Sequence, residues 1–453
     1  MKGVSVQPAT ASRPIPRAKS LPYLGIALDL RIDPLRYFLR LYQELGPIFQ
    51  ITLLGRPIIV MAGLEANRFL AQKGEEYFTS EPLFGGLARE MGSDAFLVAL
   101  DGVPHRHQRK IQQRGYSRET MQSNLGVVKA ITHGYIEQWA AGQELPIFPT
   151  MQRIVTDQLG MLTGGRVCGD LFNDLWALLN TNMKVHVLKT HPGFFLKLPA
   201  YGRSKQRVFA FCREVMEWHR AHPPVDREPR LVDDLVAGLD ENGQPYSDAM
   251  ILSGIAGAYF AGMDTVAATM SFMLYAVLKT PGLRERLVAE VDAVWESDSG
   301  LTPAALRKMD VLHSTALETL RLYPIAPFTP RTSMKDFEFE GHYIPAGTEV
   351  YVANALTHLL PEYYPNPEVF DIDRYARPDQ PKTPQAFAPF SLGAHTCLGA
   401  GAAEVQIMTL IATLLRTANL SLAQPEDVTI FANPLPNPGR DFAFRFDGPR
   451  KPL

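Results

Sequence analysis

The longest apolar stretch of the chain constrains its fold more than any other feature. Residues 251–278, ILSGIAGAYFAGMDTVAATMSFMLYAVL, contain a single charged residue, Asp264. The stretch exceeds the ~20 residues that cross a membrane as a helix. A carboxylate near its middle would cost roughly 2.5 to 3.5 kcal/mol to insert, however, and neither a second span nor a basic flanking cluster accompanies it. We therefore expect a helix of ~42 Å that is buried on all sides and crosses a large soluble domain.

The remaining composition is that of one large globular domain. Hydrophobic residues make up 46% and charged residues 20% of the 453 residues, and no repeat or low-complexity linker divides the chain. We predict a flexible, proline-containing N-terminus over residues 1–20 and a single domain over residues 21–453. A net charge of −2 provides no field that would attract nucleic acid, so small molecules or proteins are the expected partners.

Cysteine usage indicates a reducing compartment. The three cysteines, Cys168, Cys212 and Cys397, are odd in number and widely spaced, and residues 1–16 lack the apolar core of a secretion signal. We therefore expect a cytoplasmic, soluble protein without disulfides and without a transmembrane segment.

The sequence pattern predicts a mixed fold in which helices dominate. Two runs of β-forming residues within 47–63 flank Gly55 and Arg56 and predict a hairpin, and strand character returns over residues 337–354. Apolar residues at three-and-four spacing predict helices through most of the rest. The expected class is mainly α with small β-sheets, α+β.

The stretch FSLGAHTCLGAG presents Cys397 in a frame of glycines directly before a predicted helix that runs from residue 398 to residue 417. The first turn of a helix favours a thiolate, because its free N–H groups and the helix dipole are positive. Gly393 permits a turn with positive φ, Gly399 leaves the helix face without a side chain, and Phe390 is placed to shield the sulfur. A buried structural cysteine in a glycine-rich loop explains an isolated pattern of this kind equally well.

The full pattern FxxGxHxCxG is much rarer than its parts, and it resembles the haem-binding loop of the cytochrome P450 family. The resemblance implies that the Cys397 thiolate is the axial ligand of the iron of haem b. It also implies the cytochrome P450 fold, with haem between the long central helix and the helix that follows the cysteine.

Glu318 and Arg321 in LETLRLYP match the ExxR motif of the same family, and Arg374 follows in VFDIDRY. Residues three apart share one face of a helix, although ExxR alone occurs on any surface helix. The resemblance implies a buried salt-bridge network of these three residues that supports the haem loop.

The segment AGMDT, residues 261–265, lies in the middle of the central helix. The Thr265 hydroxyl can bond the carbonyl group four residues earlier and loosen the helix there. The segment matches the oxygen-binding motif of the family, which implies that Asp264 and Thr265 deliver protons to dioxygen.

The stretch HRHQRK resembles the family's helix that touches the haem propionates. The resemblance implies propionate contacts from His105, Arg109, Arg331 and His395. Tryptophan is common in the family where His105 stands. His105 and His107 together also suggest zinc, but no further ligands stand at metal-site spacing.

The family implies a monooxygenase that receives its electrons from another protein. No dinucleotide-binding motif follows a predicted strand, so NAD(P)H electrons would arrive through a separate ferredoxin or flavoprotein reductase. Arg106, Lys110 and Arg114 would suit an acidic partner, and they would equally suit an ordinary solvated face.

The substrate follows from the sequence only as a class. Positions that line the family's pocket are mainly apolar here, which favours a lipophilic fatty acid, terpenoid or steroid-like molecule. The family's pocket corresponds here to Ala261, Ile325, Ala326, Phe328 and Phe431. The apolar segment 194–196 matches the access lip of the family's pocket. There it would contact a membrane surface or the substrate, or it would pack against the rest of the protein.

Two other functions fit the same scaffold. A haem-thiolate isomerase, dehydratase or peroxide-using enzyme should lack the acid–alcohol pair that Asp264 and Thr265 form here. A haem sensor or carrier would be no enzyme at all.

Overall fold

The computed structural model describes residues 13–93, 95–298, 300–380, 383–424 and 427–453. Helices account for most of the ordered chain in this part of the protein, and the predicted class, mainly α with small β-sheets, is confirmed. The α-helices are α1 (Pro34–Leu45), α2 (Leu64–Tyr77), α3 (Glu81–Glu90), α4 (Gly102–Gln112), α5 (Arg118–Ser123), α6 (Leu125–Ile136), α7 (Ile147–Gly164), α8 (Phe172–Asn182), α9 (Pro199–Ala221), α10 (Leu231–Val236), α11 (Asp248–Met263), α12 (Thr265–Lys279), α13 (Leu283–Ser297), α14 (Pro303–Leu306), α15 (Asp310–Leu322) and α16 (Ala400–Thr417).

Short strands form several small sheets. The strands are β1 (Ile48–Leu53), β2 (Arg56–Ala62), β3 (Phe78–Thr79), β4 (Gln143–Pro146), β5 (Thr329–Ser333), β6 (Phe337–Phe339), β7 (His342–Ile344), β8 (Glu349–Ala353), β9 (Ala418–Leu422), β10 (Phe431–Ala432), β11 (Pro436–Asn437) and β12 (Ala443–Pro449). The largest sheet has the order β1-β2-β8-β5-β3, in which β2 and β8 are parallel and the other pairs antiparallel.

The hairpin predicted within residues 47–63 is confirmed. Strands β1 and β2 pair from Ile48 opposite Met61 to Leu53 opposite Arg56. The two residues between them, Leu54 and Gly55, have φ of 50° and 76°. Positive φ at both positions is the geometry of a two-residue turn that matches the twist of the strands.

The flexible N-terminus predicted over residues 1–20 lies partly outside the described residues. Residues 1–12 lie outside the described residues. Farther along, Gln50 donates its backbone N–H to the carbonyl of Pro16 at 2.7 Å and accepts from the backbone N–H of Ala18 at 2.9 Å. Residues 16–18 are therefore bound along the edge strand β1.

The long apolar stretch forms two helices in line. Helices α11 and α12 are separated by Asp264, whose φ of −101° departs from the helical value, while its ψ of −41° is helical. Among the described residues, two helical stretches, 248–279 and 393–417, are long and apolar enough to cross a membrane. Their most apolar windows are 83% and 67% buried inside the protein, as in the core helices of a globular domain.

The main core surrounds α12. Its side chains pack against α7, α15 and α16, and a second apolar cluster joins α11 to α8, α9 and α10. The central helices therefore hold both clusters together, and they fix the position of the segment around Asp264.

Candidate functional site

The cysteine loop is held against α2 by its glycine turn. Gly393 has a φ of 76°, and a Cβ atom at this position would lie 2.6 Å from the carbonyl oxygen of Leu70. The predicted need for glycine here is thus explained by both conformation and space. The backbone N–H of Cys397 donates to the carbonyl of Phe390 at 2.9 Å, which closes the loop.

The Cys397 side chain is exposed, yet the chain around it removes enough solvent to raise the pKa of its thiol. The backbone N–H of Gly399 and the charge of Arg109 act in the opposite direction and favour the thiolate. Helix α16 begins at Ala400, two residues later than predicted. A Cβ atom at Gly399 would lie 3.8 Å from the ring of Tyr116, an ordinary contact distance, and the sequence did not mark this neighbour.

Two arginines of the site carry charges without a carboxylate partner in the described chain. Arg331 is 7% exposed, and its hydrogen bond goes to the carbonyl of the adjacent Pro330 at 2.7 Å. Burial lowers the pKa of Arg331 to about 10, and burial also lowers the pKa of Arg109. The charge of Asp101 acts against the effect of burial on Arg331 but does not outweigh it. A buried cation without a salt-bridge partner is unfavourable, so both guanidinium groups are suited to a bound anion.

The two predicted histidines lie together. The rings of His105 and His395 stack with centroids 4.0 Å apart, and His395 Nε2 lies 3.0 Å from a carboxylate oxygen of Asp101. Burial, followed by the charges of His395 and Arg109, lowers the pKa of His105 to about 4. His105 is therefore neutral at ordinary pH.

Sequence reasoning missed Asp101, because no motif marks it. Thr79 donates its hydroxyl to the Asp101 carboxylate at 2.6 Å, and the backbone N–H of Ser80 donates at 2.9 Å. Burial opposes ionisation, but the hydrogen bonds from His395, Thr79 and Ser80 prevail and lower the pKa of Asp101 to about 2. Asp101 thus fixes the His395 ring from the side of α4.

One stripe of the central helices is left uncovered. Between Ile255 and Val277, all residues are buried except Gly257, Ala261 and Thr265. Positions four apart lie on one helix face. The small side chains of this stripe therefore border the open space of the site, and Ala261 is the most exposed of them.

The predicted loosening of the helix is confirmed. Thr265 Oγ1 donates to the carbonyl oxygen of Ala261 at 2.8 Å, next to the break at Asp264. Asp264 is 5% exposed, and burial raises the pKa of its carboxyl group. Its partner, Gln152 on α7, was not predicted, because the two residues are far apart in sequence.

The structure brings Glu318, Arg321 and Arg374 together in the core. The carboxylate of Glu318 lies 2.7 Å from Arg321 Nη2 and 3.0 Å from Arg374 Nε, and all three side chains are at most 1% exposed. The Tyr375 hydroxyl and the backbone N–H of Asp371 also donate to Glu318, at 3.0 and 2.9 Å. These last two donors are not part of the motif.

The structure places the five predicted pocket side chains in different surroundings. Phe328 stacks on Tyr351 at 4.9 Å and packs edge-on against Phe38, so it belongs to the core between α1 and the sheet. Ile325 is 6% exposed within the main core. Phe431 is 43% exposed on β10, where it pairs with Ile32 of the N-terminal region. Ala261 and Ala326 are exposed. The assignment of all five residues to a substrate pocket stays a prediction.

The predicted access lip is a short 3-10 helix, Gly193–Lys197, between α8 and α9. Phe194 is 56% exposed and stacks on Phe195 at 4.6 Å, while Leu196 packs against the second core cluster. The segment is thus partly exposed and partly packed.

The basic residues beside α4 are mostly neutralised. Arg106 is paired with Glu75 and Arg114 with Asp234, all on the surface. An acidic partner at this face would compete with these two carboxylates.

A family model for cytochrome P450 matches residues 15–439, and the chain belongs to the cytochrome P450 family. The chain is 29% identical over 440 residues to the putative cytochrome P450 120 of Synechocystis sp., with 94% of this chain and 95% of the relative covered. It is 26% identical to the sterol 14alpha-demethylase of Mycolicibacterium vanbaalenii, with 88% and 89% covered, and 26% identical to an abscisic acid 8'-hydroxylase of Solanum lycopersicum, with 87% and 83% covered.

Solved structures support the same assignment. The retinoic acid-bound cyanobacterial CYP120A1 superposes with a TM-score of 0.84 at 26% identity, covering 96% of this chain and 99% of that one. The expected cytochrome P450 fold is confirmed, and the chain is a monooxygenase of this family, an oxidoreductase.

The family implies haem, and the residues present fit that group. The thiol of Cys397 is a suitable iron ligand at a helix start. The unpaired guanidinium groups of Arg109 and Arg331 suit the two negative propionates. The uncovered stripe on the central helices leaves a face free of large side chains.

Proposed function

We propose that the protein inserts one oxygen atom from dioxygen into a lipophilic isoprenoid molecule, and that residues 21–453 act as a single haem domain for this reaction. One observation carries the choice of monooxygenase over isomerase, dehydratase or peroxygenase. The Thr265 hydroxyl is bonded to Ala261 at the helix break, directly beside the buried acid Asp264. A reaction that consumes protons at dioxygen uses such a pair directly, whereas isomerisation, dehydration and a peroxide-driven reaction do not require it.

In this proposal the Cys397 thiolate would hold the iron of haem b. The bound haem supplies the activation of dioxygen. Arg109 and Arg331 neutralise the propionates, and His105 donates a neutral N–H to one of them. His395, whose Nε2 is engaged by Asp101, offers its other ring edge.

The other residues of the cysteine loop hold Cys397 in position. Gly393 supplies the turn, Phe390 supplies the carbonyl that fixes the Cys397 backbone, and Gly399 donates to the sulfur. The network of Glu318, Arg321 and Arg374 supports the segment that leads to this loop.

Asp264 and Thr265 manage protons. Thr265 lies on the uncovered stripe, where its hydroxyl oxygen can accept a hydrogen bond from an ordered water while its O–H is donated to Ala261. Asp264 is buried behind it and relays protons from outside. A water held in one position by this hydroxyl would pass the proton from Asp264 in one direction only, which would limit the release of hydrogen peroxide.

The isoprenoid class comes from the relatives. Abscisic acid, sterols and retinoic acid, which the names of the relatives and of the solved structure contain, are all isoprenoids. The uncovered stripe of Gly257, Ala261 and Thr265 offers such a molecule an apolar surface with one hydroxyl. We favour isoprenoids over fatty acids on this ground.

Electrons from NAD(P)H reach the protein through a ferredoxin or flavoprotein reductase. The surface near the cysteine helix has a cleft of about 210 Å³ between α5, α15 and α16. Arg118 and His313 line it and share Glu404 as their partner, at 2.7 and 3.2 Å. In this proposal an acidic partner docks at this cleft by competing with Glu404 for Arg118.

The axial ligand is tested by Cys397→His. The reduced, carbon monoxide-bound parent should show the thiolate-type spectrum, and the variant should lose it, because imidazole is a neutral and weaker donor. An unchanged spectrum would refute the assignment of Cys397.

The reaction and substrate are tested by binding and turnover. Retinoic acid, abscisic acid, a sterol and a fatty acid of matched length are titrated while the Soret band is followed, and binders are incubated with a ferredoxin system or with peroxide. We expect isoprenoids to shift the band and to be oxygenated with dioxygen and reductase. Turnover by peroxide alone would identify a peroxygenase, and tighter binding of the fatty acid would refute the isoprenoid class.

A further inference from the structure

The carboxyl group of Asp264 is bound to a neighbouring helix by a side chain outside every motif. Gln152 Nε2 on α7 donates to Asp264 Oδ1 at 2.6 Å. The two residues are 1% and 5% exposed. Because Asp264 interrupts the central helix, Gln152 holds the one residue whose backbone departs from helical geometry there.

The other half of the Gln152 amide is unpartnered. Its oxygen, Oε1, is buried and has no hydrogen-bond donor among the described residues. Leaving a buried carbonyl oxygen without a donor is costly. A neutral carboxyl group at Asp264 supplies the missing donor, since its O–H can bond Oε1 while its other oxygen accepts from Nε2.

We propose that Gln152 is a positioning residue for Asp264: its amide pairs with the neutral carboxyl group through two hydrogen bonds, keeps it against α7, and releases it once the proton has been passed on. The inference deepens the proposed function and rests on the role of Asp264 as a proton relay.

In the proposed cycle Asp264 loses one proton and regains one. Neutral Asp264 gives its proton toward the Thr265 hydroxyl or the water bound to it, and becomes a carboxylate. The carboxylate keeps the bond from Nε2 but now faces Oε1 without a proton, so one of the two hydrogen bonds is lost and two oxygens repel each other. The freed side chain takes one proton from solvent and returns to the pair.

The charges around Asp264 agree with this cycle. Burial raises the pKa of the carboxyl group, while the Gln152 donor and the charge of Arg440 act against it. Arg440 is exposed and lies 4.8 Å from the ring centre of Trp176 on α8. It is the charged group of the described chain whose field reaches Asp264, and it favours the short-lived carboxylate.

Infrared difference spectroscopy of the haem-loaded protein tests the pair directly. The spectrum of the parent minus that of Asp264→Asn should contain the C=O band of a protonated, hydrogen-bonded carboxyl group. In Gln152→Met this band should move to higher frequency, because the carboxyl group has lost both amide partners. A parent without any protonated carboxyl band at Asp264 overturns the proposal, whether or not the Gln152 variants fold.

Turnover provides a second readout. In Gln152→Met, which removes both amide hydrogen bonds, the ratio of oxygenated product to hydrogen peroxide should fall by about fivefold or more, since the loss of a single hydrogen bond has an effect of about that size. Gln152→Glu should approach the parent ratio at low pH, where the introduced carboxyl group is protonated and donates to Asp264. The ratio should fall as pH rises and two adjacent carboxylates repel each other. A purely structural glutamine would give no such pH dependence.

The matched control is Gln158→Met on the same helix. Gln158 is also fully buried, donates to Thr132 Oγ1 at 2.9 Å and accepts from Gln406 at 2.9 Å, without touching Asp264. We expect the control to lower stability but to leave the product-to-peroxide ratio and the Asp264 band unchanged. An equal fall of the ratio in both methionine variants would overturn the proposal.

The failure of this inference is distinct from that of the proposed function. If Asp264→Asn leaves the ratio unchanged, the relay itself is refuted and the inference with it. If Asp264→Asn lowers the ratio and Gln152→Met does not, the relay is supported and only the role of Gln152 is overturned.

Discussion

Replacing Glu318 by alanine should be among the most destabilising single changes in the chain. Its carboxylate accepts five hydrogen bonds: two from Arg321 at 2.7 and 2.9 Å, and one each from Arg374, Tyr375 and the backbone of Asp371. With the carboxylate removed, two guanidinium groups that are at most 1% exposed lose their only counter-charge in the described chain. Breaking a buried pair from one side costs about 3 to 5 kcal/mol.

Backbone carbonyl groups reduce the expected loss in the free energy of unfolding. Arg321 also donates to the carbonyls of His358 at 2.8 Å and Pro367 at 2.7 Å, so its N–H groups are not all left without acceptors. The loss in the free energy of unfolding should therefore lie near the lower end, about 3 kcal/mol. Glu318→Gln retains the shape but not the charge, and should lie between parent and alanine variant.

The assay is urea unfolding followed by tryptophan fluorescence, together with the haem content of the purified protein. The matched control is Asp373→Ala, which removes an exposed pair with Arg286 whose side chains are 57% and 48% exposed. An exposed pair is worth about 0 to 1 kcal/mol. If Glu318→Ala loses no more stability than Asp373→Ala, the reasoning about the buried network is wrong.

Three further outcomes follow from the site. Thr265→Ala removes the hydroxyl that bonds Ala261. Substrate binding should survive, while the amount of product per NAD(P)H oxidised should fall and the amount of peroxide should rise. An unchanged ratio of product to peroxide would contradict a role of Thr265 in proton transfer. Arg331→Leu removes a buried cation whose pKa is lowered to about 10. Urea unfolding of the haem-free variant should show equal or higher stability, whereas haem titration should show an affinity lowered roughly 10-fold or more, the value of a charged hydrogen bond. A fall in both stability and haem affinity would contradict the assignment. Asp101→Asn tests the pKa of about 2. Because the folded-state pKa lies below the usual ~3.9, the carboxylate stabilises the fold above pH ~4 and loses this effect as pH falls through about 2. The difference in thermal midpoint between parent and variant should therefore be present at pH 6 and vanish near pH 2.

Motifs with a local physical cause were predictable from the sequence. The loop around Cys397 needs glycine at 393 because of φ and the nearby Leu70 carbonyl, and such a need appears in the sequence as glycine at a fixed distance from the cysteine. The bond from Thr265 to Ala261 lies within one helical turn, so spacing alone predicted it.

Partners far apart in sequence were not predictable. Asp101 and His395 are separated by 294 positions, and Gln152 and Asp264 by 112, so no periodicity links them. The surroundings of the pocket residues could not be predicted for another reason. Residues 325–328 follow no helical or strand period, so the face on which Phe328 lies could not be assigned, and the side chain packs into the core beside Tyr351 instead.

The uncovered stripe on the central helices has a consequence for redesigning selectivity. A mutant library along α12 would fail at almost every position, because additional methylene groups in a filled core strain the fold by about 1 to 3 kcal/mol. Gly257 is already restricted, since a Cβ atom there would lie 2.9 Å from the ring of Phe96. Ala261 alone combines a small side chain with free space beside it. Graded enlargement at this single position, from alanine through valine to phenylalanine, would shorten the accessible chamber stepwise and move the site of attack along a flexible substrate.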